Sequence, residues 1–523
     1  MTLRSSALLV AAILACSAGA SAAPTVVETT VLGPFTGHPA GLHPDNVKPN
    51  LLAYYGTDLG WSYQHGGRIH FLFGDTHASG RGEGITPLHD DGFGTLDLAE
   101  WPDGRRISPT NLPSIRMGQV SGSSQMLAID PGFPLEGLKT PIGGFSNGTQ
   151  EFGAFITGKP KACRADSDCS NGLACDAGLG FVGSRPDQAP GLTFGCLDAA
   201  AGCAADTMVD AAGKPIAGSG LCVDTTSSLW ANTDFGRVGA VGMIQWVGAR
   251  SATEPQKYGD LVPWLSNKFI NTAMRAVGTG ANQRVLLWGR PWFVGVNAKE
   301  RTLAMYFAYA DMPSGPVLKW TVHYFTGTDA KGVPQYSANE KEAAAVDLDS
   351  TRAGVQPQER YDIVQHMSVV WIGHLKKWVM FYGGGLSRFP IPSLAPNCGL
   401  TEIFARAECR NVVAGNGAIR MRTADEPWGP WSPAQDVIIG GDPDELPVKD
   451  QFAPNGVLHH PACTQEGCTP ASPSMQKGDY GWLYGVNIIE PWITPVGKAV
   501  DVFWNASTWD PYRVVLLRTR INP

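Results

Sequence analysis

The sequence predicts an all-β fold, and three observations carry that expectation. The chain of 523 residues is rich in turn formers and aromatics, with 63 Gly, 39 Pro and 16 Trp, and only 17% of it is charged. Such a composition favours short strands joined by turns over long helices. One phrase also recurs: a turn carrying Gly, Lys or Arg, then five to seven apolar residues that end in an aromatic. Helical periodicity is scarce, and its best example, "SNKFINTAMRAVG", is short.

The phrase reads "GGRIHFLFGD" from Gly66, "GTQEFGAFITG" from Gly148, "KERTLAMYFAY" from Lys299, "LKKWVMFYGGG" from Leu375 and "VGKAVDVFWNAS" from Val496. Apolar runs precede most of them: "LGWSYQ", "RPWFVGV", "MSVVWI" and "GWLYGVNII". Each unit therefore reads as a β-hairpin, and "WTVHYFTG" and "IRMRTA…WSPAQDVII" supply further strands. Sheets must manage their edges, and radial repetition of four-stranded blades around a channel does so. Five hairpin-centred units thus predict a five-bladed β-propeller over residues 24–523. Their spacing is irregular, which insertions explain. The largest, 161–224, is Cys-rich and too poor in apolar residues to fold on a core of its own.

Residues 1–22 read as a secretory signal, with Arg4 before an apolar core from Leu8 to Ala15 and "ASA" before Ala23. No later stretch approaches the ~18–20 apolar residues of a transmembrane helix. The expectation is a secreted or periplasmic monomer. "ILAC" at Cys16 loosely resembles a lipoprotein box, and anchoring through Cys16 is the less favoured alternative.

Ten cysteines follow the leader: Cys163, Cys169, Cys175, Cys196, Cys203 and Cys222 in the insertion, then Cys398 with Cys409 and Cys463 with Cys468. An even number in an exported chain predicts disulfides. A zinc site is the rival, but no Cys-x-x-Cys occurs, and only His459 and His460 near Cys463 approach a ligand spacing. A net charge of −7 without any basic cluster argues against nucleic acid.

The stretch "GTDLGWSYQHGGRIHFLFGDTH", Gly56 to His77, carries the functional reading. If Gly66 and Gly67 are the central turn residues, His65 faces Arg68, Tyr63 faces His70, Trp61 faces Leu72 and Asp58 faces Asp75. Like charges directly opposed, with Cβ atoms about 4.5–5.5 Å apart, are destabilising. A shared proton, a bound cation or a cationic neighbour must offset them. Paired carboxylates at a cavity rim are also what glycosidic hydrolysis requires, one ionised and one protonated. The plainer alternative is that each Asp is a strand-end residue accepting backbone N–H groups.

These residues resemble the N-terminal signature of an uncharacterised bacterial domain family with a five-bladed propeller fold, some members of which are endo-D-arabinanases. The likeness extends through "LSNKFINTAMRAV", "LLWGRPWFVG", "HYFTGTDAKGVPQYS", "MSVVWIGHLKKWVMFY", "RTADEPWGPWS" and "STWDPYRVVLLRTR", in that order. It implies a pocket at the channel mouth, with Asp58 as base or nucleophile and Asp75 as the Asp of the family's "FGDT". Family members tend to carry Gly-Glu before the Ser-Val strand, where this chain has Gln365 and His366. That departure removes the family's Glu from this position, while the fold that the resemblance implies does not depend on it.

An acid could come from elsewhere. Glu490 in "NIIEPWITP" stands near Trp492, where desolvation would raise its pKa and suit it to donate a proton; a rim residue paired with Arg is the alternative. Glu151 in "NGTQEFGAF" is the next candidate, against an ordinary exposed turn acid. His366 is an acid or an orienting residue, or a satisfied core histidine. Trp61, His77, Gln365 and Trp492 are expected to contact substrate, and Trp292, Trp482 and Trp509 also offer rings. The conclusion is a secreted, endo-acting glycoside hydrolase taking a furanose-containing polysaccharide. The alternative is a non-catalytic envelope propeller that binds glycan or protein. The sequence identifies no definite cofactor, and Ca2+ held by the acids is a candidate beside the zinc site weighed above.

Overall fold

Two glycines set the geometry from which the fold can be followed. Gly66 and Gly67 have φ of 55° and 78°, the left-handed conformation of a tight hairpin turn, and they join β2 to β3. The structure is a computed structural model. It describes residues 23–36, 56–77, 90–117, 140–157, 240–246, 258–262, 266, 268–290, 305–313, 320–346, 348, 366–383, 419–438, 482–509 and 513–523. The leader, Cys16, the insertion at 161–224, all ten later cysteines, His459, His460, Gln365 and Trp292 lie outside the described residues. So do the side chains of Asp75, His77, Trp482 and Trp509.

The chain begins with β1 (Thr25–Pro34). β2 (Gly56–His65), β3 (Arg68–His77), β4 (Asp90–Asp97) and β5 (Arg116–Met117) make one sheet. β6 (Pro141–Ser146), β7 (Glu151–Thr157), β8 (Ala240–Trp246) and β9 (Tyr258–Val262) make the next. A third holds β10 (Asn271–Val277), β11 (Arg284–Arg290), β12 (Tyr306–Asp311), β13 (Val322–Thr328) and β14 (Pro334–Ser337). β15 (His366–Ile372), β16 (Lys377–Gly383), β17 (Ile419–Ala424) and β18 (Gln435–Ile438) follow. β19 (Trp482–Ile488), β20 (Thr494–Val496), β21 (Ala499–Trp509) and β22 (Arg513–Asn522) form the last sheet, with β1 as its outer strand.

The described residues thus form five antiparallel sheets, and their first strands touch in a closed circuit: β2 with β6, β6 with β10, β10 with β15, β15 with β19, and β19 with β2. The arrangement is all-β and propeller-like. Apolar wedges fill the space between neighbouring sheets. Trp504, Phe381 and Val486 sit between the fourth and fifth sheets. Phe35, Phe71 and Trp492 lie between the fifth and first, and Trp288, Phe307 and Met380 between the third and fourth. Each fully buried side chain of this kind contributes about 1.5–3 kcal/mol. Pairing of β1 with β22 closes the circuit, joining the chain's first described strand to its last.

Two expectations are corrected by the strands themselves. "SNKFINTAMRAVG", the best helical pattern, contains β10, because its residues pair with β11 from Asn271–Arg290 to Val277–Arg284. The opening hairpin keeps its predicted pairs from His65–Arg68 through Trp61–Leu72, and then the register slips. Leu59 and Gly60 have φ of 64° and 79°, so β2 bulges there and Leu59 faces Phe73. Asp58 consequently faces Gly74, and the direct opposition of Asp58 to Asp75 is not made.

Candidate active site

The starts of the five inner strands converge on one mouth of the ring. The Trp61 indole N–H donates to the carbonyl of Pro141, the first residue of β6, at 2.8 Å. Gly143 lies against Thr272 and Met274 of β10. Arg290, paired with Asn271 at the start of β10, acts electrostatically on His366, the first residue of β15. The Gly485 N–H of β19 donates to His366 Nδ1 at 3.1 Å, and Tyr484 reaches back to Asp58 of β2.

Asp58 is the carboxylate at the centre of this convergence. It is 7% exposed, and its Oδ2 accepts the Tyr484 hydroxyl at 2.9 Å. Its side chain lies over Gly74, where an added Cβ would come within 2.8 Å of Asp58 Oδ1. Glycine is needed opposite the acid for that reason. Neighbouring backbone is fixed by the Thr57 hydroxyl, which donates to the Gly74 carbonyl at 3.1 Å, and by the Leu59 N–H, which donates to Ser507 Oγ at 2.6 Å. Asp91, also buried, is the second residue of β4, beside the irregular stretch of β3 between Phe73 and Thr76 that includes Gly74 and Asp75.

His366 is packed between Trp61 and Tyr484, with ring centroids 5.9 and 6.1 Å away. Burial, with the Arg290 guanidinium acting in the same direction, pushes its pKa down to about 3. Since Nδ1 accepts the Gly485 N–H, the neutral ring carries its proton on Nε2. His366 is therefore a fixed neutral group and not a proton donor of ordinary acidity. Arg290 is fully buried, and burial pushes its pKa down to about 9.

The structure does not bring every predicted residue to this mouth. Glu490 sits just past the end of β19, 46% exposed, with Oε2 3.0 Å from Arg275 Nη1. Arg275 also donates from Nε to the Val369 carbonyl. The desolvated proton donor expected at Glu490 is thus an exposed acid in an ion pair, because β19 carries it away from the strand starts. Trp492 is fully buried in the wedge between the fifth and first sheets, donating to the Trp101 carbonyl, so it offers no face to a sugar. Trp61 is a buried wall of the site.

Glu151 is buried, contrary to the exposed-acid alternative, but it belongs to the turn end of the hairpins. Its Oε2 accepts the Tyr63 hydroxyl at 2.9 Å and lies 3.2 Å from His70 Nδ1, while Oε1 is 3.7 Å from His65 Nε2. His65 stands seven residues along β2 from Asp58, roughly 20 Å at ~3.3 Å per residue. Asp75 and His77 belong to β3, near the mouth by register.

Sequence reasoning missed Tyr484, Arg290 and Asp91. The first two stand inside phrases read as apolar runs, "GWLYGVNII" and "RPWFVGV". The acidic step "DDG" at Asp90–Gly92 was the one signal for Asp91. Among the described residues no group of three or more His, Cys, Asp or Glu is arranged to hold a metal ion, and no helix is long and apolar enough to cross a membrane.

No family model and no curated protein matches the chain. Among solved structures it is similar to an α-L-arabinofuranosidase from Podospora anserina, at 10% identity and a TM-score of 0.35 over 96% of this chain and 98% of the other. It is similar to an N-acetylgalactosamine deacetylase from F. plautii, at 8% identity and a TM-score of 0.37 over 94% and 95%. An exo-β-1,3-galactanase from Phanerochaete chrysosporium aligns at 9% identity and a TM-score of 0.32, over 94% of this chain and 64% of the other. At such identities and TM-scores, the reading of the site rests on the chain's own geometry.

Proposed function

We propose that this chain is a secreted glycoside hydrolase built as a five-bladed propeller, cleaving interior linkages of a furanose-containing polysaccharide of the arabinan type. One observation carries the reading: Asp58 is buried where the inner strands begin and is held there by the Tyr484 hydroxyl. A carboxylate oriented at the mouth of a ring is placed to act as general base on water or as nucleophile at the anomeric carbon. Asp75 and Asp91 are the candidates for the protonated partner, since both follow from the same irregular meeting of β3 and β4. His366, neutral and buried, serves as an orienting residue. Glu490 and Glu151 have no part in the chemistry. The substrate class comes from the resemblance of the Gly56–His77 signature to the family with endo-D-arabinanases.

The signal at 1–22 would be removed on export, and the ten remaining cysteines would pair as disulfides in the oxidising compartment.

A second reading, a non-catalytic glycan-binding propeller, is favoured by the position of Glu490 and Glu151 away from Asp58. Incubation of the purified protein with arabinan, arabinogalactan and other cell-wall glycans separates the two. Release of new reducing ends from an arabinan-type chain supports hydrolysis. Saturable retention on the same glycan without any product supports the binder and contradicts the enzyme.

A further inference from the structure

We propose that Ser507 and Asn505, on β21 of the sheet that closes the ring, are positioning residues that hold Asp58 in its working orientation by clamping the left-handed backbone of Leu59. The proposal rests on the reading of Asp58 as the reactive carboxylate. Only Leu59 and Lys376 among the described non-glycine residues have positive φ, and Lys376 lies in a hairpin turn where that conformation is ordinary. Leu59 is instead inside a strand and next to Asp58, a place where a strained residue persists only if its surroundings over-determine it.

The surroundings do so from across the seam between the fifth and first sheets. The Leu59 N–H donates to Ser507 Oγ at 2.6 Å, and its carbonyl accepts Asn505 Nδ2 at 2.8 Å. Both backbone groups of the strained residue are thereby fixed by two fully buried side chains. Asn505 Oδ1 in turn accepts Asn487 Nδ2, and Asn487 also bonds Ser62 through Nδ2 to its hydroxyl and Oδ1 to its N–H. Ser62 lies just beyond the bulge on β2, so the clamp grips the strand on both sides of it.

β19 carries a matching irregularity. Its register with β21 breaks between Tyr484 and Asn487, where Gly485 has φ of 62°. A Cβ at Gly485 would lie 3.2 Å from Leu59 Cα and 3.1 Å from Ser507 Oγ. The two bulges therefore nest against each other through Ser507. One carries Asp58 at its edge and the other carries Tyr484, and the nesting places the Tyr484 hydroxyl 2.9 Å from Asp58 Oδ2. Without the bulge β2 would keep the register of its turn end, and Asp58 would not face Gly74.

Kinetics of Ser507→Ala, Ser507→Thr and Asp58→Asn on the glycan that the wild type cleaves fastest test the clamp. Ser507→Ala is expected to lower kcat by about tenfold to a hundredfold with KM within about twofold, as for a misplaced reactive group. It is also expected to move the acid limb of the kcat/KM profile, which a merely structural role would leave in place. Ser507→Thr, which keeps the hydroxyl, should retain most of the wild-type kcat. Wild-type kcat in Ser507→Ala beside an inactive Asp58→Asn contradicts the clamp and leaves the role of Asp58 standing. Wild-type kcat in Asp58→Asn removes that role, and the clamp with it. Amide exchange in the wild-type chain needs no variant: the Leu59 N–H should be protected to the level of the sheet core, and fast exchange there overturns the proposal.

Discussion

His366 shows how burial decides the role of a single residue. Its sequence setting, a histidine at the start of an apolar strand, allowed an acid or an orienting group, with a satisfied core residue the commoner outcome. The environment separates these, because complete burial and the nearby Arg290 guanidinium keep the ring uncharged down to about pH 3. An unfolded chain would protonate the same ring near pH ~6.5. Between those values the unfolded state binds a proton that the folded state refuses, so stability falls as pH drops through that window. Above it, His366 contributes no pH dependence. The slope is at most about 1.4 kcal/mol per pH unit. Urea unfolding at pH 7 and pH 4.5 should therefore show a loss about 2 kcal/mol larger in the wild type than in His366→Gln. Equal losses would mean that the ring is protonated in the fold. Asp58 was singled out by its expected opposition to Asp75 and by the resemblance of its stretch, and that opposition is not made. Tyr484 and Arg290 were not singled out, since a Tyr or Arg in a strand gives no sign of what lies across a sheet boundary.

At the scale of the element, turn chemistry was legible and the bulge was not. Gly66 and Gly67 permit one tight turn, and the turn dictates the pairs His65–Arg68, Tyr63–His70 and Trp61–Leu72 that the strands make. The break after Trp61 depends on Ser507 and Asn505, whose contacts to Leu59 span 448 and 446 residues of sequence. No local pattern in β2 records them. β10 was obscured in the same way, since its helical spacing is overridden by pairing with β11. Gly74 tests the consequence of the shifted register. A Cβ there would meet Asp58 Oδ1 at 2.8 Å and both Leu59 Cδ1 and Thr140 Cγ2 at 2.9 Å. Gly74→Ala should therefore push the Asp58 carboxylate aside, abolish most glycan cleavage and cost about 1–3 kcal/mol of stability by overpacking. Denaturant titration together with the cleavage assay checks it. Wild-type activity in that variant would show that the space opposite Asp58 is not needed.

For the whole molecule, repetition made the architecture readable. The first and fourth hairpins were marked by their apolar phrases because each sheet solves the same packing problem locally. The phrase at Lys299 failed in part, since β12 pairs with the strand ending at Arg290 and residues 291–300 lie outside the described ones. Closure left no trace in the sequence. Nothing in "TVVETTVLGP" announces that Thr25–Pro34 pairs with Arg513–Asn522 at the other end of the chain. Yet β1 buries Val31 and Leu32 in two different inter-sheet wedges. Deleting residues 25–34 should leave β22 as a bare edge and open both wedges. Calorimetry is expected to show loss of the single cooperative transition, or a fall in Tm of more than about 10 °C for a deficit of several kcal/mol. An unchanged transition would mean that the ring does not depend on its closing strand.

The most direct measurement is the rate of glycosidic bond cleavage by Asp58→Asn, made on protein whose melting temperature matches the wild type. The isosteric amide keeps the shape of the site and removes the charge. The account predicts a loss of about a hundredfold or more in kcat, the scale set by removing a general base or nucleophile. Cleavage at the wild-type rate would contradict it, and would move the chemistry away from the mouth where the inner strands begin.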